Sequence, residues 1–270
     1  PELLDQVKAT ISRLNLDGLV VIGGDGSLST AWQFQENGIN VVGVPKTIDN
    51  DLKATDRTFG FSTAVEIISE SLSRIHTTAS SHDRVFLVET MGRNVGWLTL
   101  FGGIAGGADI ILIPEIPFSY DSILNTLNQR RSMQRNYAVI AVAEGASAMG
   151  EVQSTQEQRS GAENLLGGVA YHVAEKIKQR SGDQFDVKVM VLGHLQRGGS
   201  PNAEDRILAQ QFGFAAFEAV RNGDWGKMVC SVGDQIQLAS LAEAVDSLKK
   251  VGPDSQVVKM ARGIGINFGD

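Results

Sequence analysis

Residues able to handle phosphate and metal gather directly after short apolar runs. Gly23-Gly24-Asp25-Gly26-Ser27 stands between the run Gly18 to Ile22 and a helical pattern that reaches Trp32. Glycines let main-chain amides approach a phosphate, and a helix N-terminus favours an anion. Gly24, Asp25, Gly26 and Ser27 are therefore candidate polyphosphate-binding residues. Asp25 is placed either to hold Mg²⁺ on phosphate oxygens or simply to cap the helix. Pro45-Lys46-Thr47-Ile48-Asp49-Asn50-Asp51 follows the next apolar run, Val41 to Val44. Two carboxylates at one strand end can divide labour. One accepts the proton of an attacking hydroxyl, and the other organises a metal. The competing reading is an Asx-type turn. Further along come Met91-Gly92-Arg93, Glu144 and Leu192-Gly193-His194-Leu195-Gln196-Arg197-Gly198-Gly199, each after an apolar run. An arginine there either neutralises a phosphoryl group in flight or is a surface charge. Glu144 fits a sugar hydroxyl or a helix cap equally well. His194 and Arg197 beside paired glycines favour a bound phosphate. Arg84 precedes its strand, so it lies at the opposite end. It is either a surface charge or a group offered to a neighbouring subunit.

These residues need a scaffold that puts strand ends together. Strand-like runs are expected at 18–22, 41–44, 85–88, 110–113, 138–142 and 187–192, with helical patterns between them. Ala64, Val65, Ile68, Leu72 and Ile75 recur at helical spacing, for example. The runs are near-continuously apolar, which predicts parallel strands buried on both faces. Strand–helix alternation predicts an α/β, doubly wound architecture, in which ligands bind outside the carboxyl ends of the strands. Met228 to Leu241 reads as a hairpin around Gly233-Asp234. The polar stretch 148–161 reads as an exposed loop. Residues 1–16 read as a helix with Leu3, Leu4, Val7 and Ile11 on one face. Folds of this kind usually open on a strand, so an upstream strand and its loop are expected before Pro1.

Composition narrows the function classes. The 270 residues are 42% hydrophobic and 20% charged, with a formal net charge of −7, which argues against non-specific nucleic-acid binding. No apolar run approaches the length of a membrane span. One cysteine, Cys230, cannot form an internal disulfide, which leads us to expect a reducing, cytoplasmic setting. The sequence contains no Walker-type GxxxxGK[ST] string and no protein-kinase catalytic loop.

The GGDG string resembles that of lipid kinases and NAD kinases. Taken together, GGDGS, PKTIDND, Ser81-His82-Asp83-Arg84, MGR, VAEG and LGHLQRGGSP resemble the phosphofructokinase family in order and approximate spacing, over essentially the whole chain. The resemblance implies two Rossmann-like domains with mainly parallel sheets. A phosphoryl-donor domain would comprise 1–60 and 196–250, and a fructose 6-phosphate domain 61–195 and 251–270. It implies an ATP-dependent kinase acting on the 1-hydroxyl of fructose 6-phosphate, with Asp49 as base, Thr47 beside it, Arg93 on the transferring phosphoryl group and Asp25 on Mg²⁺. Gly24, Asp25, Gly26 and Ser27 would bind the nucleotide. Thr47, Asp49, Met91, Gly92, Arg93, Glu144, His194 and Arg197 would hold the sugar phosphate, with Arg84 and Lys188 reaching the 6-phosphate of an adjacent subunit in a homotetramer. Family members are often allosteric enzymes. His76 and Asp109 fall near the expected effector region without identifying a ligand.

Three departures bear on these expectations. Lys188 stands where many relatives carry arginine, which keeps the cation but loses the bidentate fork. Lys46 stands where many ATP-using bacterial relatives carry glycine, and it is similar to the pyrophosphate-using branch. Gly26 points the other way, because pyrophosphate-using relatives typically carry an aspartate there. The family's first strand, with a Gly-rich nucleotide loop, has no counterpart after Pro1, so an incomplete donor site is expected. The alternatives to an ATP-dependent kinase are a pyrophosphate-dependent phosphotransferase and a non-catalytic, sugar-phosphate-binding regulatory homologue.

Overall fold

Two sheets form because the apolar runs fall into two sets of partners. The computed structural model describes residues 2–150 and 168–270, so most of the expected loop at 148–161 lies outside the described residues. Contacts divide the chain into Pro1–Thr63 with Pro201–Lys249, and Ala64–Ser200 with Lys250–Asp270.

The first unit carries α1 (Glu2–Arg13), β1 (Leu19–Gly23), α2 (Asp25–Glu36), β2 (Val41–Thr47), β3 (Phe59–Gly60), α7 (Ala203–Asn222), β8 (Lys227–Val232), β9 (Gln235–Ser240) and α8 (Leu241–Val245). Its sheet runs β1-β2-β8-β9, with β3 paired to the far end of β2. Only the β8–β9 hairpin is antiparallel. The turn at Gly233, φ +57, lets the chain reverse without a Cβ clash. Successive β2 side chains feed two cores. Val41 joins Leu28, Ala31, Met228 and Leu241 on one face, whereas Val42 and Val44 join Leu208, Phe212 and Ala216 of α7 on the other. Burial on both faces holds for β2 and fails for β1. There Leu19 and Val21 pack while Val20 and Ile22 are 46% and 58% exposed. α7 covers β2, β3, β8 and β9, and its cover does not reach those two side chains.

The second unit holds α3 (Phe61–Ser81, from its second turn onward), β4 (Arg84–Thr90), α4 (Trp97–Ala105), β5 (Ile110–Leu112), α5 (Tyr120–Ser132), β6 (Ala138–Ala143), α6 (Val169–Ser181), β7 (Asp186–Val191), a 3-10 turn (Gly193–Arg197) and α9 (Gln256–Gly263). The sheet order is β5-β6-β4-β7, all parallel. Central β6 is buried at every residue, as its unbroken AVIAVA sequence requires. α5 and α6 cover one face. α4 covers the other and approaches so closely that a Cβ on Gly102 would stand 2.4 Å from Ile68 of α3. The chain's last segment returns to this unit. Ile111 donates to the Asn267 carbonyl at 2.9 Å, Asn267 donates to Asp109 at 3.1 Å, and Ser119 donates to Gly269. β7 departs from the expected two-sided burial, since Met190 and Val191 are exposed.

Glu89, 4% exposed in β4, fixes α6 to the sheet. Its two oxygens accept from Gly168 N at 3.0 Å and Ala170 N at 2.9 Å, two amides of the first turn of α6 that no helical carbonyl can reach. A glutamine offers one acceptor and turns its NH₂ toward the second amide. Glu89→Gln is expected to lower stability by about 2 kcal/mol, read as a fall in the urea midpoint at unchanged m-value.

Candidate functional site

In the first unit the two phosphate-type motifs meet. Gly24 is the N-cap of α2 in extended conformation, and Asp25 is its first residue. The reading of Asp25 as the cap is therefore set aside, and its carboxylate sits in the first turn, where Gly26 and Ser27 are exposed. A Cβ on Gly24 would stand 3.1 Å from the Cβ of Thr47, so this glycine allows the α2 N-terminus to close on the end of β2. Beyond Gly26 no atom lies within 4 Å of where a Cβ would project.

Thr47 ends β2 and organises the residues after it. Its Oγ1 accepts from Asp49 N at 3.1 Å and donates to Asp49 Oδ2 at 3.3 Å. Thr58 Oγ1 donates to the Thr47 carbonyl at 2.8 Å. The chain is then turned by Asn50 (φ +51) and Ala54 (φ +60), both left-handed. Asn tolerates that conformation better than most residues do. Lys46, the cation of this motif, is exposed.

Asp51 is 9% exposed, and its Oδ1 has no hydrogen-bond partner. Burial pushes its carboxyl up to about 6, and the Asp49 and Asp25 carboxylates push in the same direction. The Lys249 ammonium opposes this weakly and is itself brought down to about 8 by burial. Both groups are thus shifted toward their neutral forms, so desolvation outweighs their attraction. A cation suits this place. Among the described residues no group of three or more His, Cys, Asp or Glu is arranged to hold a metal alone. A hard divalent ion carried on polyphosphate oxygens needs only one or two protein carboxylates, and Asp25 with the orphaned oxygen of Asp51 fits that set.

In the second unit the motifs meet at the carboxyl end of the sheet. Met91, Gly92 and Arg93 leave β4, and Glu144 leaves β6, its amide bonded to the Thr90 carbonyl at 2.9 Å. Gly92 has φ +141, and a Cβ there would lie 3.0 Å from the Val95 carbonyl. Gly145 passes so close that a Cβ would lie 2.0 Å from the Arg93 carbonyl oxygen. Arg93 and Glu144 both have partners, and Arg93 is exposed. His194 and Arg197, expected on a loop, stand on the 3-10 turn. Both are exposed, and neither side chain forms a hydrogen bond or ion pair among the described residues. They are a guanidinium and an imidazole available to an anion.

Arg84 and Lys188 are not part of that group. They lie toward the amino ends of β4 and β7, about 20 Å of strand from Met91. Arg84 Nε donates to Asp186 Oδ2 at 2.8 Å and Lys188 Nζ to Asp186 Oδ1 at 2.7 Å, which holds the Asp186 carboxyl below its usual range. His76 and Asp109 serve the fold. His76 Nε2 donates to the carbonyls of Gly106 and Gly107, while Asp109 accepts from Val139 N and pairs with Arg130 at 2.6 Å.

Sequence reading missed three residues. Gln196, 2% exposed, accepts from Met91 N at 3.1 Å and donates to the Gly193 carbonyl at 3.0 Å, which ties the Arg93 turn to the His194–Arg197 turn. Its position inside LGHLQRGGSP was the available signal. Asp51 was seen only as half of an acidic pair. Lys249 carried no signal, because nearly 200 residues separate it from its partners.

The Asp51 shift has a definite sign. A carboxyl raised from 3.8 to about 6 binds its proton more tightly in the folded chain. Its stabilising share is full below pH 3.8 and is lost as pH rises through about 6, leaving a penalty of about 3 kcal/mol above it. Asp51→Asn is expected to be more stable than the parent at pH 7.5 and equal to it near pH 4, by urea unfolding with chelator present. Lower stability of the variant at pH 7.5 would contradict the assignment.

Comparison with known proteins bears on the family of the chain. The Phosphofructokinase family profile matches residues 1–220. The ATP-dependent 6-phosphofructokinase of Chloroflexus aggregans is 46% identical over 264 residues, covering 98% of this chain and 72% of the relative. The pyrophosphate–fructose 6-phosphate 1-phosphotransferase of Amycolatopsis methanolica is 46% identical over 254 residues, covering 93% and 73%. The crystal structure of the pyrophosphate-dependent phosphofructokinase of Marinobacter aquaeolei superposes with a TM-score of 0.80 at 27% identity, covering 98% of this chain and 68% of that one. With a family profile matched over most of its length and relatives 46% identical that it covers by more than two thirds, this chain belongs to the phosphofructokinase family.

Proposed function

We propose that the protein transfers the γ-phosphoryl group of Mg-ATP to the 1-hydroxyl of fructose 6-phosphate, giving fructose 1,6-bisphosphate and ADP in glycolysis. The observation that supports this most is the meeting of the α2 N-terminus with the Thr47–Asp49 turn, which sets a phosphate-type helix end beside a carboxylate able to take a proton. In this reading Asp49 accepts the proton of the sugar's 1-hydroxyl. That oxygen then bonds to the γ-phosphorus as the bond to the β–γ bridging oxygen breaks and its electron pair leaves with ADP. Thr47 orients Asp49. Arg93 offsets charge on the phosphoryl oxygens, and Met91, Gly92 and Glu144 contact the sugar. His194 and Arg197 take the 6-phosphate, which their exposure and lack of partners favour. Gly24, Gly26 and Ser27 receive the donor phosphates at the helix end.

Asp25 and Asp51 would hold Mg²⁺, which would neutralise phosphate charge during transfer. Arg84 and Lys188 sit at the wrong end of their sheet for their own subunit's carboxyl-end residues, which favours donation to a neighbouring subunit in a homotetramer. A cytoplasmic, effector-controlled enzyme completes the reading. Among the described residues no helix is long and apolar enough to cross a membrane.

Overall identity does not separate the donors, since an ATP-dependent and a pyrophosphate-dependent relative are both 46% identical. Gly26 favours ATP. The open space beyond it leaves room for the inner phosphate of a nucleotide, where a carboxylate would fill and repel. Lys46 favours pyrophosphate, but one exposed cation biases a choice that a steric and charge block would exclude. The same open space means that Gly26→Asp folds without a clash. Turnover with ATP is expected to exceed that with pyrophosphate, and Gly26→Asp to lose ATP activity selectively. Faster turnover of the parent with pyrophosphate reverses the assignment.

Asp49→Asn tests the chemistry itself. It is expected to cut kcat by about two orders of magnitude or more while the KM for fructose 6-phosphate changes little. Near-normal turnover would remove Asp49 from the role of base.

A further inference from the structure

Asp49 must be held still, yet it stands on a segment with two left-handed residues and little regular structure between Thr47 and Phe59. One residue far away in sequence braces that segment at both legs. Lys249 Nζ donates to Asn50 Oδ1 at 3.2 Å, to the Thr55 carbonyl at 2.8 Å and to the Asp56 carbonyl at 3.1 Å. An ammonium has three protons, and these three acceptors can take all of them. The Lys249 amide adds a fourth tie, to the Asp51 carbonyl at 2.7 Å. Asn50 and Asp51 belong to the outgoing leg, next to Asp49, and Thr55 and Asp56 to the returning one. Asn50 is buried and also lies 3.5 Å from Thr58 Oγ1, the hydroxyl that holds the Thr47 carbonyl. Lys249 therefore holds Asn50, the neighbour of Asp49, directly, while the single Thr58 hydroxyl proton holds the carbonyl of Thr47, whose own hydroxyl orients Asp49.

We propose that Lys249 is a positioning residue for the phosphoryl-transfer step, which acts by cross-bracing the 47–58 segment so that Asp49 is presented in one place. It touches no substrate. The inference rests on the reading of Asp49 as base. A displacement on the order of 1 Å at a reacting group can cost about 100-fold in rate, so even partial loosening should be visible in kcat. Methionine keeps the length of the stem and removes all three side-chain donors. Arginine restores charge and donors in a planar fork, which cannot point at all three acceptors together.

The test uses the full-length enzyme with saturating Mg-ATP. Lys249→Met is expected to lower kcat about tenfold or more, with the KM for fructose 6-phosphate within about threefold of the parent, and Lys249→Arg to recover part of the loss. Asn50→Gly keeps the left-handed backbone and deletes only the acceptor beside Asp49. Its effect on kcat should fail to add fully to that of Lys249→Met, because both remove the same Lys249–Asn50 bond. A purely structural lysine would lower the melting temperature but leave kcat per folded active site unchanged. A folded Lys249→Met enzyme with parental kcat overturns the proposal. If that variant does not fold, parental kcat in Asn50→Gly overturns it. Should the parent not phosphorylate fructose 6-phosphate, the proposed function fails first. Hydrogen exchange then decides the brace alone, with faster exchange of the 48–58 amides in either variant supporting it and unchanged exchange refuting it.

Discussion

Negative charge crowded into a dry strand end is the constraint around which the first unit is built. Asp25, Asp49 and Asp51 come from two motifs and converge beyond β1 and β2, and Asp51 is nearly buried with an oxygen left unpaired. Such a group costs folding free energy when it is ionised. The fold offers one nearby ammonium, Lys249, and that group is itself desolvated. What remains unbalanced is a place where a cation brought in with phosphates would be welcome. The tension that looks like poor design in the folded chain alone becomes an affinity when a ligand supplies the missing charge.

The second unit solves the opposite problem. Its sheet ends in two arginines and a histidine on short turns, and packing holds the backbone of those turns. Gln196 joins two of the turns from below, Gly145 lets the Arg93 carbonyl approach closely, and Gly92 gives the bend its positive φ. His194 and Arg197 are thus rigid at the root and free at the end. That combination suits binding of an anion whose position must be fixed but which must also leave.

Much of this was readable in the sequence, and the reasons for success and failure are physical. Strand–helix alternation and the motif positions depend on neighbours within a few residues, so periodicity and turn chemistry exposed them. The two-sided burial expected for every strand holds for β2 and β6 and fails at Val20, Ile22, Met190 and Val191. Hydrophobicity reports what a strand could bury, while exposure depends on which helices cross it. The roles of Lys249 and Asp186 were invisible because each acts on partners brought near by register or by the chain's return. Arg84 opposite Asp186 is a fact about the β4–β7 ladder and about no local stretch of sequence.

The return of the chain to both units governs how the protein can be made. The first unit needs Pro201–Lys249 to complete its sheet, and the second needs Lys250–Asp270, whose Asn267 and Gly269 bond to the margin of β5. A ribosome delivers residues in order, at about 5–20 per second. The first half therefore waits for Lys249, long after its own first strands and most of the second half have been made. For on the order of ten seconds or more, between the making of β2 and that of β8, the first sheet stands without the strand that covers one edge of β2, an edge open to wrong partners. The second sheet has all four of its strands by Val191 and waits only for Asn267 and Gly269 to bond at the margin of β5.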